Sequence, residues 1–346
     1  MKYSRKRISK EGKKLLSSKS SEEVNNALSI INEWRTNHLH PLNVLKNAII
    51  RLLDKNEITP YLVSQRLKRI TSIEYKLDLK PDMGLGGMND IGGIRIVLKD
   101  SKQLAILEKI LLDNRLNHKL LPKPYNYILY PKKSGYRSVH FVYEYNSKKI
   151  DYNKLKLELQ IRTVLQHNWA TAVETAGIIT KTSLKSSKGP DEWLDFFKIV
   201  SSLFSLKEKL PVLEEHKDKS IQDLMIDCYV LSKELDIITI LKGLRVSANH
   251  IDKKYMKNGD YYLIHIKTID KRVVLKSYTK NQFEKATKEY VKLEKEVENT
   301  KDATVLVSAQ SFKSLKKAYP SYFLDTSEFI KALEKINKNC IDRKFV

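Results

Sequence analysis

The chain has 346 residues, 41% of them hydrophobic, and a formal net charge of +23. That is enough apolar material for two domains, or for one large domain with an appendage, and it excludes a chain too polar to fold. Its 64 Lys and Arg against 41 Asp and Glu fit a polyanionic partner, nucleic acid or nucleotide first, because neutralised phosphates release counterions; a lysine-rich composition that makes every surface basic accounts for the excess equally well.

In chain order, MKYSRKRISKEGKKLL is basic but has no apolar core of leader length, and no run of about 18 apolar residues occurs anywhere, so neither secretion nor a membrane span is expected. Ser20 and Glu23 form a capping box for a helix that reaches about Arg35. A second helix follows Pro41. Thr59-Pro60 predicts the start of a third, carrying Arg66 and Lys68. After the glycines at 84, 86 and 87, Ile94, Ile96 and Leu98 alternate as a short strand with Asp90 just before it. Ser101 is placed at the cap of a further helix, and extended stretches are expected at Lys119–Leu121, Tyr125–Tyr130 and Ser138–Tyr145.

Leu155–Glu174 combines a strand with a helix. Leu155, Leu157, Leu159 and Ile161 share one strand face, and Lys156, Glu158, Gln160 and Arg162 share the other. From Thr163 the period changes: Leu165, Trp169, Ala172, Val173 and Ala176 fall at helical spacing. The breaker-rich loop at 181–190 precedes another helix, and the apolar pattern lapses at 211–219, where a domain boundary is expected. Beyond a connecting helix the order reads hairpin, charged helix, third strand and two short helices. Cys228 and Cys340 stand far apart, with no Cys-x-x-Cys, which fits a reducing cytoplasm and no structural zinc.

Four groups of polar residues could do chemistry: Arg66, Lys68 and Lys76; Asp90 and Arg95; Lys132, Lys133, Tyr136, Arg137 and His140 around Gly135; and Glu158, Gln160 and Arg162. Two carboxylates among many cations fit a metal-bound nucleoside triphosphate, since Mg2+ takes oxygen ligands while lysine and arginine hold phosphates. A surface ion pair explains any one group singly.

In order and spacing, SQRLKRITSIEYK, MNDIGGIRIV, PKKSGYRSVH, LELQIRT and HNWATAVE resemble the synthetase domain of the RelA/SpoT family over roughly residues 20 to 210. The resemblance implies a mixed β-sheet flanked by helices (α+β, nucleotidyltransferase-like). It also implies a Mg2+-dependent pyrophosphokinase that moves the β,γ-pyrophosphate of ATP onto a ribose 3′-hydroxyl. On it, Arg66 and Arg95 would sandwich adenine, Lys68 and Lys76 would hold phosphates, and Asp90 would be the main metal ligand. Glu158 would help hold the metal and activate the hydroxyl, and Tyr136 would stack on the acceptor base. Lys132, Lys133, Arg137, His140, Gln160, Arg162 and Glu174 would support the acceptor. ATAVETAG, with Thr175 where alarmone makers usually carry His, is similar to the toxic branch of small alarmone synthetases, whose acceptor is the CCA end of tRNA.

The C-terminal part resembles the appended domain of fused toxin–antitoxin members of the CapRel type. This implies a synthetase domain over 1–212, a helical connection over 213–255, and a regulatory, zinc-finger-like α+β domain without zinc over 256–346. Tyr319 and Tyr322 would cover the ATP site until a phage protein, a capsid protein among the candidates, binds. A cytoplasmic monomer is expected. Two alternatives stay open: a synthetase acting on guanosine or adenosine nucleotides, and a catalytically dead RNA-binding module.

Overall fold

A computed structural model describes residues 3–18, 20–113, 116–122, 124–180, 182, 184–247, 259–267, 272–297, 300, 302–309, 311–323 and 325–346. Three helices open the chain: α1 (Arg5–Ser17), α2 (Ser21–Thr36) and α3 (Leu39–Lys55). Ser4 and Ser20 cap the first two by accepting from Arg7 N and Glu23 N, which satisfies donors the helices leave unpaired. The helix expected after Thr59-Pro60 is instead a strand, β1 (Leu62–Leu67). The edge of β2 (Gly92–Leu98) lies alongside it, and six residue pairs in antiparallel register outweigh the local helix signal. Between them α4 (Ile70–Leu79) starts after Arg69.

The middle of the chain follows as α5 (Ser101–Leu112), capped by Asp100 and not by Ser101, then short β3 (Lys119–Leu120) and β4 (Tyr125–Asn126). Next come β5 (Val139–Glu144), β6 (Lys156–Thr163), α6 (Val164–Thr180), α7 (Asp191–Lys207), α8 (Ile221–Glu234) and α9 (Ile237–Ser247). The C-terminal part holds β7 (Tyr261–Lys267), β8 (Arg272–Tyr278), α10 (Phe283–Glu296), β9 (Ala303–Ser308), α11 (Phe312–Ala318) and α12 (Ser327–Asp342).

The strands form one mixed sheet in the order β3-β5-β6-β2-β1-β9-β7-β8, with β4 paired to β5. The α+β class, with helices on both sides of the sheet, is the one expected. The sheet runs straight across the boundary expected near residue 212, because β9 pairs with β1 at Gln65↔Ser308 and Arg66↔Val307. On the back face, Ile94, Ile96, Phe141, Leu157, Leu159 and Ile161 pack with α3 and α5 in one core. Beside the front face α6 to α9 and α12 form another, which buries both cysteines.

A buried ion pair fastens the C-terminal part to the N-terminal helices. Arg35 on α2 is fully buried and donates to Tyr290 Oη at 2.6 Å and to Glu294 Oε2 at 2.8 Å on α10. Removing one partner strands the others without water, so Arg35→Ala is expected to cost about 3–5 kcal/mol. A fall in the denaturant midpoint measures it.

Candidate nucleotide site on the front face of the sheet

Register brings the predicted residues together. Ser64, Arg95, Gln160 and His140 lie abreast on β1, β2, β6 and β5, and Arg66, Gly93 and Glu158 form the next row. Residues abreast in a sheet point to the same face, so the acid, amide and guanidinium expected on the polar side of β6 do share a surface with both arginines. Gly93 gives this surface its floor: a Cβ there would meet only Arg66 O, at 4.0 Å. Arg66, Lys68, Asp90, Arg95, Glu158 and Gln160 all line one cleft, with Tyr319 of the C-terminal part.

Asp90 accepts Lys68 Nζ on Oδ2 and Lys76 Nζ on Oδ1, each at 2.9 Å. Burial would raise its pKa, but the two ammonium groups outweigh that and hold the carboxyl well below the usual carboxylate range. Glu158 is likewise held on both oxygens, by His140 Nδ1 at 2.9 Å and by Gln160 Nε2 at 2.7 Å. His140 Nε2 lies 2.9 Å from Tyr136 Oη. Burial would lower the pKa of His140, yet Tyr136 and Glu158 bring it up to about 9. Glu174, paired with Lys185 at 2.9 Å, is also drawn well below the ordinary range: Lys185, Arg66 and Arg95 overcome its burial.

Among the expected site residues, Tyr136, Arg137 and Arg162 are buried. The Tyr136 ring, expected to stack on a base, is 3% exposed. Gly135, at φ +86°, turns it inward, and a Cβ at Gly135 would stand 2.9 Å from Ser201 Cβ and 3.1 Å from Trp169 Cζ2, so only glycine fits. Lys132 and Lys185 then sit 5.2 and 5.0 Å from the ring centroid. Arg137, expected near the acceptor, is buried and braces the turn by donating to Ser201 Oγ at 3.0 Å and Ile128 O at 3.1 Å. Arg162 is 2% exposed behind the cleft; it donates through Nη2 to His167 Nδ1, while its Nε and Nη1 have no hydrogen-bond partner. Thr175, which stands where alarmone makers usually carry His, is fully buried in α6.

Lys133 is exposed. Tyr319 is 4% exposed and donates to Gln65 O at 2.7 Å. The side chain of Tyr322 lies outside the described residues. Sequence reasoning missed Gly93, Lys185 and His167. Gly93 and His167 lay inside the motifs MNDIGGIRIV and HNWATAVE without being singled out, and Lys185 in a stretch read only as loop; His167 bonds Arg162 on one side and Lys317 O at 3.2 Å on the other.

Two carboxylates facing one cleft offer hard oxygen donors, which suit Mg2+ more than zinc. Among the described residues no three His, Cys, Asp or Glu side chains gather as a metal ligand set. That number of protein ligands is still compatible with Mg2+, which keeps several waters and takes substrate phosphates. Asp90 and Glu158 would hold the ion once phosphates had drawn Lys68 and Lys76 away.

A polar sheet face that sets lysines and arginines around separated carboxylates defines a site for phosphate-bearing ligands. Residues 65–184, about a third of the chain, match the family described as "Region found in RelA / SpoT proteins". The chain is 33% identical over 112 residues to GTP pyrophosphokinase YjbM of Bacillus subtilis (strain 168), an alignment covering 32% of this chain. It spans about half, 52%, of that curated relative's length. Among solved structures, small alarmone synthetase 1 from Bacillus subtilis aligns at 26% identity and a TM-score of 0.43, covering 50% of this chain and 90% of that one. A GTP pyrophosphokinase family protein from Streptococcus pneumoniae aligns at 24% and 0.42, covering 52% and 89%. Among the described residues no helix is long and apolar enough to cross a membrane.

Proposed function

We propose that the protein is a Mg2+-dependent pyrophosphokinase that transfers the β,γ-pyrophosphate of ATP to the 3′-hydroxyl of the CCA end of tRNA, and that its C-terminal part holds it inactive. The observation that carries the reaction is the single cleft shared by Arg66, Lys68, Asp90, Arg95, Glu158 and Gln160. Arg66 and Arg95 hold the adenine, Lys68 and Lys76 the phosphates. Glu158 takes the proton of the attacking hydroxyl as it bonds the β-phosphorus and AMP departs. Bound Mg2+ supplies charge neutralisation at the phosphates. No covalent enzyme intermediate is needed, only alignment and a base.

Self-inhibition is supported by the size of the cleft. It encloses about 50 Å³, against the roughly 300–1,000 Å³ of ligand pockets, and Tyr319 fills its mouth side from the C-terminal part. A phage protein that binds the C-terminal part only when it is undocked would shift the population to the open state. The arrest of translation that follows would serve anti-phage defence by a cytoplasmic monomer. The +23 net charge supports a tRNA acceptor.

A second reading, a guanosine tetra- or pentaphosphate synthetase or its adenosine counterpart, draws support from the relative named GTP pyrophosphokinase. Incubation with γ-labelled ATP and either tRNA or GDP separates the two. Label on tRNA is the expected result, and label on nucleotide alone overturns the tRNA assignment. No label anywhere, even with the C-terminal part removed, would leave an RNA-binding module.

A further inference from the structure

The segment from Tyr125 to Lys133 holds aromatic side chains that the reaction outlined above does not use. Tyr125 and Tyr130 are 50% and 78% exposed, which leaves both rings open to a ligand. Tyr125 lies parallel to Tyr127, with centroids 6.1 Å apart and planes 10° apart. Tyr127 in turn meets His140 edge-on at 5.2 Å and Tyr136 at 6.2 Å, and His140 holds Glu158. Aromatic rings thus run in a row from solvent to the candidate base.

The segment is rigid. Tyr125 and Asn126 pair with His140 and Val139 on β5. Asn126 Oδ1 accepts from the backbone N–H groups of Ile128 and Leu129 at 3.1 and 3.0 Å, and its amide donates to Glu108 Oε1 at 2.8 Å. Lys132 sits 4.4 Å above the Tyr127 ring, and exposed Lys133 follows it.

Rings fixed in place beside ammonium groups are what single-stranded nucleic acid binds: bases stack on the rings while lysines track the phosphates. We infer that Tyr125 and Tyr130 form a stacking platform for the bases of a single-stranded RNA 3′ end, delivering its terminal ribose toward Glu158. This rests on the acceptor assigned above and specifies where that acceptor is held. It also supplies the base contact that buried Tyr136 does not offer. A mononucleotide acceptor has one base and would not need the outer rings. A strand with an unpaired end has several bases to place.

The test is equilibrium binding of the full chain to a fluorescent RNA hairpin with a four-nucleotide 3′ overhang, alongside a fluorescent GDP analogue. Tyr125→Ala and Tyr130→Ala should each weaken hairpin binding about tenfold, the scale of one lost base stack, and leave the GDP analogue unaffected. Tyr→Phe at either position should retain binding, because the ring and not the hydroxyl is used. Hairpin binding within twofold of the parent in both Ala variants overturns the platform, as does failure of the parent to bind the hairpin or an equal loss for the GDP analogue. Binding is read without turnover, so absent transfer to tRNA with a tenfold effect intact would overturn the reaction and leave the platform standing.

Discussion

Glu158→Gln is expected to lower pyrophosphate transfer about 10²–10⁴-fold, the range general acid–base catalysis contributes, while the chain stays folded. The substitution keeps the shape and one of the two hydrogen bonds: the new amide oxygen can accept from His140 or from Gln160, which hold Glu158 at 2.9 and 2.7 Å, but not from both. It removes the negative charge and the ability to take a proton. The Glu158 side chain is only 12% exposed, and although burial would raise its pKa, His140 lowers it, so the group stands ionised and able to accept a proton, at some cost in basicity. Transfer is best read in a Tyr319→Ala background, in single turnovers with labelled ATP, so that self-inhibition does not mask the difference. A rate within tenfold of the parent would remove Glu158 from the chemistry. Asp90→Asn separates positioning from proton transfer. It leaves Lys68 and Lys76 without their shared carboxylate, so weaker ATP binding should accompany the lower rate.

Much of this site is legible in the sequence because it sits on regular strands. A period of two places Glu158, Gln160 and Arg162 on one face, and the leucines and isoleucine between them on the other, with no knowledge of the neighbours. What periodicity leaves undecided is set by contacts distant in the chain. β1 reads locally as helix because Thr59-Pro60 is a strong start signal, and it becomes a strand because β2 and β9 bond to its two edges. Tyr136 reads as an open ring beside a basic turn. Its burial depends on Gly135 meeting Ser201, 66 residues away on α7. The three strands of the C-terminal part and its hairpin are readable, but not the pairing of β9 with β7, nor the union of this sheet with the first, which depends on two residue pairs.

Tyr319→Ala is expected to turn the full-length chain from silent to active. Among the described residues the C-terminal part is held beside the cleft by the two β1–β9 pairs, Lys46 Nζ to Ser308 Oγ at 2.7 Å, Asn43 Nδ2 to Tyr261 Oη at 2.8 Å, His167 with Lys317 O, and Tyr319 Oη to Gln65 O, besides the Arg35 pair with α10 and the packing of Leu62 and Val97 against its strands. Truncating a buried aromatic ring costs about 3–5 kcal/mol. Here the cost falls on the docked state alone, since an undocked Tyr319 would have lost the same contacts. A cost of that size moves the closed-to-open ratio about 10²–10⁴-fold, enough to reverse a strongly closed equilibrium. Tyr319→Phe keeps the ring and loses one hydrogen bond, about 1 kcal/mol, so its activity should rise only about fivefold. A graded rise from parent to Phe to Ala, measured as labelled pyrophosphate transferred to tRNA, is the signature of a gate. Unchanged silence in Tyr319→Ala would refute it. Arg35→Ala then tells how the gate opens, since Arg35 bonds α10 and does not line the cleft. Activation by Arg35→Ala as well means that the C-terminal part leaves as one body, whereas activation by Tyr319→Ala alone means that only the segment around Tyr319 lifts, with β9 still paired to β1.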